Sequence, residues 1–188
     1  MNTSRIIATS GTVAVAVAAT VAFAQSSRSQ GDAVAQAEAA PVKNPVTYAR
    51  VLDAPSQKVW AVVSDADSWA EWIPFLSASE CEGDHVGAKR VCVMLDPGNQ
   101  MSLDGYRIQE EILENNDETR TFRYSISNPP LPLSGFEGTV QVLPQGDQSL
   151  VFWTATFDAA QEASEPNRQM LVQMYYGSLV GLEAHANN

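Results

Sequence analysis

The chain has 188 residues, enough for one domain, and a formal net charge of −11 at neutral pH. Its 11 lysines and arginines are scattered singly, apart from the neighbours Lys89 and Arg90. We therefore exclude nucleic acid and anionic membrane surfaces as main partners, because both require clustered positive charge. Solubility is the simplest explanation of the acidity, and a cationic partner protein is the alternative.

Residues 1–24 predict an export signal that is removed from the mature chain. Arg5 precedes an apolar run from Ile6 to Phe23 that is rich in Ala, Thr and Gly. Residues 22–24, Ala-Phe-Ala, supply the small side chains of a cleavage site. We expect a mature chain that starts at Gln25, is periplasmic or secreted, and has no stable membrane insertion. An uncleaved anchor is the alternative, because the run is nearly long enough to span a bilayer.

Residues 25–44 are rich in Ala, Ser, Gln and Gly and show no apolar period, which is typical of a flexible linker. The folded domain is expected to occupy residues 45–188. Its first strand begins near Val46 and ends at the segment Asp53–Ser56, where Pro55 suits the first turn of a helix. The domain therefore opens with a strand followed by a helix.

Two short helices are predicted after that strand. Val59, Trp60 and Val63 give the first one an apolar face. Residues 65–68, Asp-Ala-Asp-Ser, end it and offer caps for the next turn. That turn carries tryptophans, the first of which is Trp69.

Six further strands and a long helix complete the pattern. Residues 136–142 alternate between apolar and polar side chains, as in a strand with one solvent-exposed face. Pro-Gly, Asn-Asn-Asp and Gln-Gly-Asp segments mark turns at hairpin spacing. The final helix is predicted from about Glu165 to His185, with Ser164 as its cap and Pro166 in its first turn.

Five segments occur in an informative order along residues 46–186: Asp53–Pro74, Gly83–Arg90, Gln109–Glu114, Leu131–Phe136 and Tyr176–Leu182. In that order they resemble the START-like, or SRPBCC, superfamily, and most closely its polyketide cyclase/dehydrase branch. The resemblance implies an α+β helix-grip fold of the Bet v 1 type. In this fold a curved antiparallel sheet of about seven strands wraps around a long C-terminal helix. Two short helices lie between strands one and two.

We expect a cavity between the sheet and the last helix that holds a small hydrophobic or amphipathic ligand, such as a lipid, an isoprenoid or a polyketide-like molecule. A strongly bent sheet touches a helix along only part of its length, and small residues there leave volume. Gly177, Ser178 and Gly181 on the helix and Gly138 on the sheet are such residues. The alternative is that the glycines let the helix and the sheet pack closely.

Glu110 is the main candidate for a polar contact in that cavity. It shares a strand face with Tyr106, Ile108 and Ile112, and the isoleucines indicate that this face points inward. A buried carboxylate is costly unless it is paired or hydrogen-bonded, so Glu110 predicts a polar ligand group or a water network. In the alternatives the register is shifted by one residue, or an arginine of this strand or the next pairs with Glu110.

The last helix and the sheet are expected to supply the rest of the cavity wall. Met170, Met174 and Ser178 recur at helical spacing, with Leu171 and Tyr175 alongside. The resemblance implies that this face turns toward the ligand, and methionines suit an adaptable apolar wall. An ordinary core stripe is the alternative. The sheet is expected to contribute Tyr124, Phe136, Gly138, Val140 and Trp153.

Two loops are expected to form the mouth of the cavity. One contains Pro97 and Gly98, and the other contains Leu131, Pro132 and Leu133. In the plant abscisic-acid receptors, which share the fold, loops in these places act as gate and latch. The receptors' motifs are absent from this chain, so the resemblance does not extend to hormone binding.

Cys81 and Cys92 are the two cysteines of the chain, and they flank the predicted turn at Gly83–Gly87. An exported protein meets an oxidising compartment, which permits a cross-strand disulfide. Two buried thiols are the alternative, because a disulfide requires close Cβ atoms and the strand register is not fixed by the sequence.

No metal, cofactor or nucleophile chemistry is predicted. The two histidines, His85 and His185, do not supply a metal cluster, and no serine or cysteine has an evident base. The predicted function is therefore ligand binding without catalysis. One alternative is a cyclase- or dehydratase-like enzyme with Glu110 as acid or base. Another is a periplasmic accessory protein that docks on a partner enzyme.

Overall fold

The computed structural model describes residues 42–98 and 101–188. The predicted export signal, residues 1–24, and residues 25–41 of the predicted linker lie outside the described residues. The elements in chain order are β1 (Val42–Leu52), α1 (Ser56–Ser64), a 3₁₀ turn (Ala66–Ser68), α2 (Trp69–Trp72), β2 (Leu76–Cys81), β3 (Lys89–Met94), β4 (Arg107–Asn116), β5 (Thr121–Ile126), β6 (Ser134–Gln145), β7 (Gln148–Ala159) and α3 (Gln161–Ala186).

The seven strands form one antiparallel sheet in the order β1-β7-β6-β5-β4-β3-β2. Strands β2 to β7 pair with their neighbours in sequence, and β1 pairs with β7. Register shifts within the β2–β3, β4–β5 and β6–β7 pairs interrupt the ladders, and such bulges bend strands. Helix α3 packs against β1 and β7 and against α1 and α2. The predicted helix-grip fold is confirmed.

Strand β1 begins before the predicted domain boundary, so residues 42–44 are strand and not linker. Val42 lies opposite Ala159 of β7 in the ladder. The buried Asn44 amide donates hydrogen bonds to the Val42 carbonyl at 2.6 Å and to Ser164 Oγ at 3.1 Å. These residues were not predicted as strand because backbone pairing and side-chain hydrogen bonds hold them in place. Neither interaction produces an apolar period in the sequence.

The segment between β1 and β2 has the predicted helix and tryptophan-rich turn. Pro55 precedes α1, and its carbonyl accepts the backbone N–H of Val59 at 3.1 Å. Trp69 and Trp72 of α2 are both buried, and their ring centroids lie 5.3 Å apart. The Trp69 indole donates to the Val63 carbonyl at 2.9 Å, which joins α2 to the end of α1.

Helix α3 begins at Gln161, earlier than the predicted start near Glu165. Ser164, the predicted cap, lies inside the helix and donates its hydroxyl to the Ala160 carbonyl at 3.1 Å. Pro166 is likewise inside the helix. Ser and Pro are typical of helix starts, but the Gln, Glu and Ala residues before them are also good helix formers. No helix within residues 42–98 and 101–188 is long and apolar enough to cross a membrane.

Two of the small residues expected to leave volume, Gly138 and Gly181, are instead positions of close packing. A Cβ at Gly138 would lie 2.6 Å from the Tyr124 hydroxyl oxygen, because the tyrosine ring rests on the glycine. A Cβ at Gly181 would overlap the Trp72 carbonyl oxygen, so α3 and α2 are in backbone contact there. The alternative that these glycines serve close packing is therefore correct at both positions.

Cys81 and Cys92 are free thiols in the structure, so the predicted disulfide is not formed. The β2–β3 register places Arg90 opposite Cys81 and Ser79 opposite Cys92, so the two cysteines are not a directly opposed pair. Cys81 donates its thiol to the Gly83 carbonyl at 2.8 Å. Cys92 is a buried thiol, which agrees with the alternative to a disulfide.

Candidate functional site

A cavity of about 70 Å³ lies between the sheet, α2 and α3. Its wall is mainly apolar, with a carboxylate, a thiol and aromatic hydroxyl and indole groups among the lining side chains. The structure brings six of the sequence-predicted wall residues together here: Ile108, Glu110, Tyr124, Phe136, Trp153 and Met174. They come from β4, β5, β6, β7 and α3, so the cavity spans the concave side of the sheet.

Other predicted wall residues lie away from this cavity. The Tyr106 hydroxyl donates to the Asn128 carbonyl at 3.1 Å, and Val140 is fully buried elsewhere in the core. Met170 lines a groove on the surface of α3. Ser178 is fully buried and donates its hydroxyl to the Met174 carbonyl at 2.8 Å. Gly138 carries the Tyr124 ring and affects the cavity only through it.

The two predicted mouth loops differ in their relation to the cavity. Leu131 and Leu133 line it, and between them Pro132 is exposed. The Pro132 carbonyl accepts a hydrogen bond from the buried Asn167 side chain of α3 at 3.1 Å. Pro97 and Gly98 of the other loop are exposed and do not line the cavity. Among the described residues of the two loops, those of the β5–β6 loop line this space.

Half of the lining residues that were not predicted from the sequence come from two regions. The tryptophan-rich turn after α1 faces the cavity, and so do Leu171 and Tyr175, which had been noted only as neighbours of the methionine stripe. A helical period gives several candidate faces, and packing against the sheet selects one of them. The additional lining residues are Trp69, Ile73, Phe75, Leu76, Cys92, Ile126, Pro129, Pro130, Leu171 and Tyr175.

Glu110 is buried on the inner face of β4, as predicted, and not on the outer face that a register shift would give. Its partner is Arg90. The two residues lie directly opposite each other in the β3–β4 ladder. Arg90 Nε donates to Glu110 Oε2 at 2.7 Å, and Arg90 Nη2 lies 2.5 Å from the same oxygen. The expected arginines of the same or the following strand do not form this pair.

Aromatic rings surround the buried cation. The Arg90 guanidinium carbon lies 3.8 Å from the centroid of the Trp69 ring and 5.3 Å from that of Phe122. Burial opposes the charge of Arg90, but the Glu110 carboxylate leaves its pKa raised. Arg90 was not predicted as a partner of Glu110. The alternation of β3 could have indicated it, because Arg90 lies on the same buried face of that strand as Cys92.

The cavity also contains hydroxyl groups that stay protonated. Tyr124 Oη accepts a hydrogen bond from the Trp153 indole at 3.2 Å. Tyr175 is stacked on Trp153, with centroids 4.8 Å apart, and its hydroxyl has no partner among the described residues. Burial, and to a smaller extent the Glu110 charge, raises the pKa of both phenols. Both are therefore neutral hydrogen-bond donors at physiological pH.

The Cys92 thiol is an unreactive part of the wall. Burial and the nearby Glu110 carboxylate raise its pKa to about 12, so it is protonated at neutral pH and is not a nucleophile. Within residues 42–98 and 101–188, no group of three His, Cys, Asp or Glu side chains is placed to hold a metal ion. The arrangement of these groups is suited to holding a molecule by apolar contact and hydrogen bonds.

A known family matches nearly all of the described fold. A family profile described as polyketide cyclase / dehydrase and lipid transport matches residues 45–186. The chain belongs to this family. Members are associated with small hydrophobic ligands, which agrees with the apolar wall of the cavity in this chain. No protein with a curated description matches the chain.

Solved structures agree with the family assignment. An uncharacterised protein from Bacillus thuringiensis is 24% identical, with a TM-score of 0.65, and the match covers 77% of this chain and 99% of that one. The protein XoxI from Bacillus cereus is 25% identical, also at 0.65, over 77% and 96% of the two chains. A truncated norcoclaurine synthase from Thalictrum flavum is 16% identical at 0.62, over 77% and 93%. The Bacillus thuringiensis protein and the plant enzyme, both under 25% identical, support the fold alone.

Proposed function

We propose that this protein binds a small, mainly hydrophobic molecule in the cavity between the sheet and α3, without transforming it. The observation that carries the proposal is an apolar cavity in which the Tyr175 hydroxyl has no partner and a Glu110 carboxylate is present. An empty apolar space would need neither group. A ligand with one polar end could form hydrogen bonds with both groups, and its apolar part would pack against the apolar wall.

The size of the cavity bounds the ligand. Pockets for drug-sized molecules usually enclose about 300–1,000 Å³, whereas this one has about 70 Å³. A cavity of about 150 Å³ is known to hold benzene. A lipid or polyketide therefore requires the cavity to open widely, and a compact ring compound requires a smaller expansion. The Met174 side chain and the β5–β6 loop line the space and are its adaptable parts.

Binding is favoured over catalysis by the state of Glu110. Its charge is neutralised by Arg90 at 2.5 Å, so the carboxylate does not call for a cationic substrate. The thiol beside it is protonated at neutral pH. An acid–base enzyme of the cyclase or dehydratase kind is the second candidate, because Glu110 lines the cavity together with two phenols. Turnover by a Glu110→Gln variant equal to that of the wild type would remove that candidate.

We further propose that the protein is exported, with cleavage after residue 24 and function in the periplasm or outside the cell. The support is the sequence of residues 1–24, with one arginine, an apolar run and small residues before Gln25. The test is intact-mass measurement on protein purified from its own host. A mass that begins at Gln25 is expected, and a mass that includes residues 1–24 would contradict cleavage.

The binding proposal is tested by native purification followed by mass spectrometry of whatever unfolding releases. A stoichiometric small molecule is expected from the wild-type chain. Met174→Trp should fill the cavity, so that no small molecule is recovered from this variant. Circular dichroism checks that the variant is folded. Met170→Trp is the matched control, because Met170 lies on the same helix but lines an exterior groove. Equal recovery from both variants would contradict this site.

A further inference from the structure

We infer that the ligand carries an uncharged hydroxyl group, which is held between the Tyr175 hydroxyl as donor and the Glu110 carboxylate as acceptor. This inference rests on the proposed binding function and specifies the class of ligand. The two groups line the same cavity of about 70 Å³, so a ligand held there lies beside both residues. The remaining wall is largely apolar, which confines the polar part of the ligand to this place.

Tyr175 provides the first half of the argument. The side chain is 3% exposed, and its hydroxyl makes no hydrogen bond with any described residue. The ring is stacked on Trp153 at an interplanar angle of 10°, so the hydroxyl is held in place. A buried hydroxyl without a partner is costly, and such groups in native proteins usually have an unseen partner. Tyr175 lines the cavity, so a ligand held there is the candidate for that partner.

Glu110 provides the second half. Oε2 is the oxygen that accepts Arg90 at 2.7 Å and that lies 3.8 Å from the Cys92 thiol. No described residue is hydrogen-bonded to Oε1, so this oxygen is an acceptor without a partner, on a residue that lines the cavity. Arg90 already balances the charge. The missing partner of Oε1 is therefore a neutral donor.

The two requirements together select a hydroxyl over a carbonyl, an ether or a carboxylate. A carbonyl or an ether would accept from Tyr175 but leave Glu110 without a donor. A carboxylate would place a second negative charge beside Glu110, which costs free energy in a buried site. A hydroxyl donates once and accepts twice, so it can also accept a hydrogen bond from Tyr124, whose oxygen already accepts from Trp153.

The test compares ring compounds of similar size that differ in one group. Phenol can donate and accept, anisole can only accept, and benzene can do neither. Binding of each to the full chain is measured by ligand-observed NMR titration. Phenol is expected to bind about tenfold more tightly than benzene, which corresponds to one or two net hydrogen bonds. Anisole should bind more weakly than phenol, because it accepts from Tyr175 but leaves Glu110 unpaired.

Tyr175→Phe then identifies the donor. Because Tyr175 has no described hydrogen-bond partner, the variant removes one oxygen without orphaning a protein group. It should reduce phenol binding several-fold and leave benzene binding unchanged. Tyr106→Phe is the matched control, because that hydroxyl is bonded to Asn128 outside the cavity and its loss should leave the phenol preference intact.

The outcomes separate this inference from the function on which it rests. Equal binding of phenol and benzene would overturn the hydroxyl inference, and the binding function would stand. A phenol preference that survives in Tyr175→Phe would overturn the assignment of the donor. If no probe binds and native protein releases no small molecule, both proposals are wrong.

Discussion

Arg90 and Glu110 face each other across neighbouring strands of the sheet and form an ion pair inside the protein. Their side chains are 0% and 7% exposed, and the charged atoms approach to 2.5 Å. The guanidinium is also stacked against Trp69. Attraction between the two charges, together with stacking on an aromatic ring, offsets much of the desolvation cost of a buried ion pair. Removal of either partner leaves the other charge buried and unpaired. The cavity is built beside this pair.

Arg90→Met should destabilise the protein by about 3–5 kcal/mol, because it leaves the Glu110 carboxylate buried and unpaired. Urea unfolding followed by tryptophan fluorescence gives the free energy of unfolding. Lys89→Met is the control on the same strand. Lys89 pairs with Glu111 at the surface, where both side chains are largely solvent-exposed, so the loss should be within about 1 kcal/mol.

The double variant Arg90→Met/Glu110→Leu extends the same prediction. Apolar replacements of a buried pair are often neutral or stabilising, so the double variant should be more stable than Arg90→Met alone. A double variant that is less stable than Arg90→Met would contradict this account of the pair. So would an effect of Arg90→Met no larger than that of Lys89→Met.

The sequence predicts the fold well because the sheet repeats a simple period. Phe136 and Val140 alternate with polar residues, and the structure buries both. The turn chemistry at Pro55 likewise marks the start of α1. Such features depend only on near neighbours along the chain. Start positions are less secure, and α3 begins at Gln161 because several adjacent residues are equally able to enter a helix.

The site was harder to predict because it depends on partners that are distant in sequence. Glu110 could be placed on an inner face, but its pairing with Arg90 depends on the β3–β4 register. Met170 and Tyr175 both belong to α3, and only the packing of the helix decides that Tyr175 faces the cavity. Gly138 was assigned to open space because a sequence does not show the Tyr124 ring that covers it.

Gly181→Ala should destabilise the protein, by about 1–3 kcal/mol, because the new methyl group would overlap the Trp72 carbonyl oxygen. That atom belongs to the backbone, so α3 must move away from α2. Gly177→Ala is the matched control. Its methyl group would meet Pro74 Cγ at 3.5 Å, an ordinary contact, and alanine favours the helix by up to about 1 kcal/mol. Thermal unfolding of the two variants should shift in opposite directions, and shifts of the same sign would refute this picture of the contact.

Cys92 should resist alkylation in the folded protein. Its pKa is raised to about 12, so about one thiol in 10⁴ is ionised at pH 8. Cys81→Ser leaves Cys92 as the single thiol, and iodoacetamide labelling followed by mass spectrometry measures its rate. We expect little labelling until denaturant is added, and then full labelling. In the unaltered chain, denaturant should expose two reactive thiols. Labelling of native Cys92 at the denatured rate would show that the cavity wall is open.

Glu183 should make stability depend on pH in the acidic range. Its carboxylate accepts the backbone N–H of Asp53 at 2.8 Å and the Arg50 guanidinium at 2.7 Å, which joins α3 to the end of β1. These bonds lower the pKa of Glu183 from its ordinary value of 4.5. A group with a lowered pKa in the folded state stabilises the protein fully above its unfolded-state pKa. That contribution is lost as the pH falls through the folded-state pKa.

Glu183→Gln should therefore be less stable than the wild type at pH 7, and the difference should shrink as the pH falls below about 4.5. Urea unfolding at a series of pH values measures both curves. Glu118→Gln is the control, because Glu118 lies exposed in the turn between β4 and β5 and its variant should follow the wild type throughout. A constant difference between Glu183→Gln and the wild type from pH 7 to pH 3 would mean that the two hydrogen bonds do not depend on the charge of Glu183.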